Sequence, residues 1–132
     1  MRLKGSSLPI REAAQRGAQG AVDARSRGAT QGANARITAE VLTWPGVEAG
    51  TGRRGEWAFK VGRREIGHLH GDTTAHFGFP KDVWRELHGA GRIDFHPVFP
   101  GKEGPAARRI ATEDDVSEVI ALLRLNYDRA AE

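Results

Sequence analysis

Cysteine is absent from the 132-residue chain, so disulfides, thiolate metal ligands and cysteine nucleophiles are all excluded. No apolar run approaches the roughly 18–20 residues of a membrane span. The N-terminus has no continuous apolar core of the kind a secretory signal needs. Serine is almost missing from the body of the chain. Beyond residue 34 only Ser117 remains, inside a helical pattern, which argues against a Ser/His/Asp triad. The Gly-rich stretch VEAGTGRRG lacks the Lys-Ser/Thr ending of a phosphate-binding loop, and no apolar strand runs directly into it. These absences leave a cytoplasmic, single-domain protein without a membrane span as the expectation.

Acidic residues are scarce only at the start. Residues 1–36 hold seven Lys/Arg and two acids, a net +5; residues 37–132 hold thirteen Lys/Arg and fifteen acids, a net −2. The chain's overall +3 therefore belongs to its leading segment, and the body is slightly acidic. Large apolar residues nearly vanish between Ile10 and Asn34, and four glycines weaken any helix there. Residues 1–34 are expected to be a disordered or frayed basic segment, and 35–131 a single domain.

The body reads as alternating elements. Asn34 is placed to cap a helix carrying Ile37, Val41 and Trp44 on one face, ended by Pro45-Gly46. Three strands follow, EWAFKVG, REIGHLH and TAHFGFP, separated by turns at Gly62-Arg63 and Gly71-Asp72-Thr73. Pro80 opens a helix bearing Val83, Trp84 and Leu87. RIDFHPVFPG and AARRIAT read as two further strands. The last helix begins with a Thr112-x-x-Asp115 capping box and carries Val116, Val119, Ile120, Leu123 and Tyr127. The predicted class is α+β: about five antiparallel strands flanked by helices, in the order α-β-β-β-α-β-β-α.

Chemistry concentrates in GHLHGDTTAHFGFP, which holds three of the five histidines. A two-residue turn at Gly62-Arg63 sets Val61 opposite Arg64, Phe59 opposite Ile66 and Trp57 opposite His68. Strand alternation then places Trp57, Phe59, Val61, Ile66, His68 and His70 on one apolar face. On the next strand Ala75, Phe77 and Phe79 face the core and His76 faces solvent. In that register the three histidines do not form one site unless a bulge shifts it. His68 and His70 suit two ligands of one ion, with His96 as the third; the alternative is two buried histidines bonded to neighbouring groups.

The run EWAFKVGRREIGHLHGDTTAHFGFPKDVWRELHGAGRIDFHPVFPG, followed by EDDVSEVIALLRLNYDRA, resembles the bacterial luciferase-domain family from about Ile37 to Ala130. The similarity rests on His68-Leu69-His70, the strand into Pro80 with its helix, His96-Pro97, and the Leu122 to Tyr127 segment of the last helix. The element order is similar to that of YjbR-like α+β domains, some relatives of which have been suggested to bind DNA. Gly71-Asp72-Thr73-Thr74 departs from the Pro-Asp-Gly turn the family leads one to expect. The resemblance implies a fold; the family's name does not establish light emission, and it names no cofactor or reaction.

Two functions from different classes are consistent with these residues. One is a small-molecule or metal-binding domain with a pocket between sheet and helices. Trp57, Phe59, His68, His70, Phe77 and His96 would line it, and Arg53 and Arg54 would add anion contacts. The other is a nucleic-acid or protein interaction module using the basic arm. No complete catalytic constellation is visible, so the residues do not decide whether the chain is an enzyme.

Overall fold

A computed structural model of the chain describes residues 31–131. The expected basic segment lies, up to residue 30, outside the described residues. Three helices and a six-stranded antiparallel sheet follow: α1 (Ala33–Val41), β1 (Val47–Thr51), β2 (Trp57–Val61), β3 (Arg64–His70), β4 (Thr74–Gly78), α2 (Lys81–Gly89), β5 (Asp94–Phe95), β6 (Pro105–Arg109) and α3 (Glu113–Ala131). The sheet order is β1-β2-β3-β4-β6-β5. The α+β class stands, with one more strand than expected. The extra strand is the first part of VEAGTGRRG, whose Val47 and Ala49 pack half-buried against the core while Glu48 and Gly50 face away. Pairing along the whole of β2, from Val47 opposite Val61 to Thr51 opposite Trp57, holds a segment whose glycine content argued for a loop.

One face of the sheet is covered by α3, with α1 packed on α3. Ile37 and Val41 of α1, Val119, Leu122 and Leu123 of α3, and Phe59, Ile66, Leu69, Ala75 and Phe77 of the sheet make one buried cluster. Trp57 closes its rim, its indole N–H donating to the Thr38 hydroxyl at 2.9 Å.

Two helix starts show how the sequence sets its boundaries. At α3 the capping box forms as expected. The Asp115 N–H donates to the Thr112 hydroxyl at 3.2 Å, and the Asp115 carboxylate accepts from the Thr112 and Ala111 N–H groups. At α1, Asn34 is not the cap but lies inside the first turn. The cap comes from Asp72 in the β3–β4 turn, whose carboxylate accepts the N–H groups of Gly32 at 3.1 Å and Asn34 at 2.8 Å. An acidic group at a helix N-terminus is favoured wherever it comes from in the chain.

The feature that positions the site is a β-bulge. From the turn, Val61 pairs with Arg64 and Lys60 with Glu65; the register then slips, and Phe59 pairs with Gly67, Ala58 with His68 and Trp57 with Leu69. The extra residue on β3 lets Ile66 and Gly67 both lie toward the helices. Gly67 is required there. A Cβ on it would stand 2.6 Å from Leu123 Cδ2 and 3.2 Å from the His76 carbonyl oxygen. Asn126 of α3 holds the bulge from below, its amide donating to the Ile66 and Gly78 carbonyls at 3.1 and 3.0 Å.

Candidate metal centre

The bulge reverses the expected direction of two histidines. His68 and His70 do not share a face with Trp57 and Phe59; they point away from α1 and α3. Because His68 pairs directly with His76 across β3 and β4, all three histidines stand on the same, open side of the sheet. The ring centroids are 5.0 Å apart for His68 and His70, 5.3 Å for His68 and His76, and 4.5 Å for His70 and His76. One ligand nitrogen from each lies within 4.8 Å of the other two. Nor does His76 face solvent: it is 8% exposed, with the His96 ring 4.0 Å from its own.

Each ring has a distinct environment. His68 Nδ1 meets the Glu65 carboxylate at 2.6 Å. A carboxylate accepts only, so Nδ1 carries a proton, and in the neutral tautomer the lone pair is on Nε2. His76 has neither ring nitrogen partnered, and both are buried. Burial, helped by His96, His70 and His68, pushes its pKa down to about 4, so the ring is neutral near pH 7. His96, in the turn after β5 rather than on a strand, is also shifted downward, by burial first and then by His68 and His70. Its Nδ1 accepts the Val98 N–H at 3.1 Å. In the neutral ring Nε2 therefore carries the proton, and His96 offers a donor to the groove.

These rings line a groove of about 720 Å³. Ala58 and His68 to His76 form its floor. Arg53, Arg54 and Glu56 from the β1–β2 loop stand at one end, and Val98 and Phe99 from the turn after β5 line it too. A second hollow of about 480 Å³ shares Glu65, His68, His76, His96 and Phe99 with it.

The family model of the Luciferase domain matches residues 63–126. The chain carries a Luciferase domain. The match takes in all five histidines, including the four at this site, and the β3 side of the bulge at Ile66-Gly67. It stops short of β1, β2 and the loop bearing Arg53 and Arg54. No curated protein and no solved structure matches the chain.

Of the residues singled out in the sequence, His68, His70, His96, Arg53 and Arg54 line the groove. Phe59 does not: it is packed among the core residues on the helix side, and Trp57 lies against that core; Phe77 also packs into the core and lines the second hollow but not the first. The cause is the one-residue slip, which turns every β3 side chain beyond it to the other face. His76, Glu65, Glu56, Lys60, Val98 and Phe99, which also line the groove, were not among the residues expected there. The readable signal was Gly67, since a glycine inside a strand often marks a bulge or a close backbone approach. No helix among the described residues is long and apolar enough to cross a membrane.

Proposed function

We propose that the Luciferase domain binds a divalent transition-metal ion, zinc on the chemistry of its donors, through His68, His70 and His76. One observation carries this reading: three imidazoles converge on the open face, and the most buried of them, His76, has two ring nitrogens without a partner. A buried imidazole left unpaired is costly, and a metal bond to one nitrogen removes part of that cost. Tetrahedral ligands at roughly 2.0–2.1 Å from zinc stand about 3.3 Å apart. Separations of up to 4.8 Å close to that value by modest side-chain rotation.

The surroundings fit. His68 has its Nδ1–H on a carboxylate, the arrangement that fixes the tautomer and strengthens the Nε2 donor. Nitrogen donors without thiolates suit zinc, copper or nickel better than calcium or magnesium. Three protein ligands leave a coordination position facing the groove, where a bound metal would hold a water or a small ligand.

Metal analysis of protein purified without a histidine tag tests this, together with zinc titration by thermal shift. The expected result is one equivalent of metal and a raised melting temperature, both lost in His68→Ala/His76→Ala. Protein that folds, carries no metal and shows no zinc-dependent shift would sink the reading.

A further inference from the structure

The groove has two ends of opposite character, and together they define what would bind beside the metal. This inference rests on the metal reading above and extends it to the ligand class.

One end is cationic. The β1–β2 loop closes on itself: the Gly52 N–H donates to the Glu56 carbonyl at 2.7 Å and the Gly55 N–H to the Gly52 carbonyl at 3.1 Å. Gly55, at φ 85°, makes the reversal possible. This short loop carries Arg53 and Arg54 to the groove edge, and Lys60 of β2 adds a third cation. None of the three has an ion pair among the described residues. The two nearby carboxylates are engaged elsewhere, Glu65 on His68 Nδ1 and Glu56 on the Arg54 N–H at 3.0 Å. With a divalent ion on the histidines, the groove would hold three positive charges in excess of its two carboxylates, a field that concentrates anions.

The other end is apolar and wet. Val98 is 65% exposed and Phe99 44%. The turn that carries them is ordered by the Phe99 N–H donating to the His96 carbonyl at 2.9 Å, with the Phe99 ring 5.3 Å from that of His96. The strand order puts β3 and β4, with their three histidines, between the basic loop and this turn. A ligand bound at the metal can therefore touch both ends. The volume of about 720 Å³ lies in the range of small-molecule sites and exceeds what a lone inorganic ion would fill.

We propose that the site takes a small amphipathic carboxylate. Its carboxylate would lie at the metal's open position within reach of Arg53, Arg54 and Lys60, and its apolar body against Val98 and Phe99. Both contacts are needed: bare anions gain only the charge, and neutral apolar molecules only the surface.

The test uses the full chain loaded with cobalt(II), whose visible bands report the metal's ligands. The probes are 3-phenylpropionate, acetate and inorganic phosphate. Expected is a change in the bands with 3-phenylpropionate at concentrations at least tenfold lower than with acetate or phosphate. Arg53→Gln/Arg54→Gln should raise the half-saturating concentration about tenfold, and Val98→Ser/Phe99→Ser should abolish the preference over acetate. Leu42→Ser, an exposed apolar residue outside the groove, should keep it. Equal affinity for 3-phenylpropionate and acetate, or tighter binding of phosphate, overturns the proposal while leaving the metal site standing. So does cobalt bound with bands that no probe alters. A chain that takes up no cobalt shows no bands, and both readings fall together.

Discussion

The two faces of the sheet are built from the same strands and serve opposite ends. On the helix side, Phe59, Ile66, Leu69, Ala75 and Phe77 are buried against α1 and α3. On the open side, the residues between them in sequence, Ala58, His68, His70 and His76, form the floor of a groove. What divides the two sets is register more than composition. Had β3 paired without a slip, His68 and His70 would lie beneath α3, where each would need a partner to offset its desolvation. One extra residue at Ile66-Gly67 sends them to water and to each other. The covered face supplies stability, the open face supplies donors, and the bulge keeps them apart.

The sharpest way to break that division is at Gly67. Gly67→Val puts a Cβ 2.6 Å from Leu123 Cδ2 and 3.2 Å from the His76 carbonyl oxygen, so the buried Leu123 side chain must shift and the β4 backbone must give way. Overpacking of this kind typically costs 1–3 kcal/mol, and a branched side chain against backbone should reach about 3 or more. The bulge must then move, and His68 and His70 move with it. The expected outcome is a lowered urea midpoint together with lost zinc binding. A variant as stable as the parent, with its zinc shift intact, would mean that the bulge is not what aims the histidines.

The second test separates the faces by pH. His76 has its pKa depressed from 6.5 to about 4, so the unfolded chain takes up its proton before the folded one does. Its contribution is therefore fully present above about pH 6.5 and is lost as pH falls through the window down to about 4. A difference of that size corresponds to roughly 3 kcal/mol as a ceiling, lowered by water in the groove. His76→Phe should flatten the stability of the metal-free protein across that window. An unchanged pH slope would show that other groups dominate acid unfolding.

The two faces also differed in how far the sequence revealed them. The helical stripes Ile37/Val41 and Val116/Val119/Leu123 were readable because a 3.6-residue period over two or more turns has no competing interpretation. The Thr112–Asp115 cap was readable because its partners are three residues apart. Ala75 and Phe77 were placed correctly, since β4 runs without interruption. The open face was misread because it depends on register carried past a bulge, and a single slip inverts everything beyond it. His68 and His70 do share one face, but it is the open face of the sheet and not the helix side, and His76 stands there with them as well as His96. His76 is brought to them by pairing across strands, a long-range fact that local spacing does not contain. The same holds for Asp72, which caps α1 from 38 residues away in sequence.

The mildest perturbation tests whether the open face can be changed without touching the covered one. Glu65 is exposed, and its carboxylate holds the Nδ1–H of His68. In Glu65→Gln the neutral amide oxygen can still accept that hydrogen bond, but without the charge that steadies the ring and enriches its other nitrogen. Losing such a partner typically lowers metal affinity 10- to 100-fold. The lower end suits a conservative change at an exposed site: about tenfold, or roughly 1.4 kcal/mol. The urea midpoint of the metal-free protein should stay within about 0.5 kcal/mol of the parent, as for most surface substitutions. Competition for zinc against a chromophoric chelator reads the first quantity, and urea denaturation reads the second. If affinity falls and stability holds, the faces are separable, and the groove can be altered without disturbing the fold beneath it. If affinity is unchanged, Glu65 is only a neighbour of His68, and its closeness says nothing about a metal. If both fall together, the bulge couples the faces, and Glu65, paired with Lys60 beside the register slip, belongs to the architecture as much as to the site.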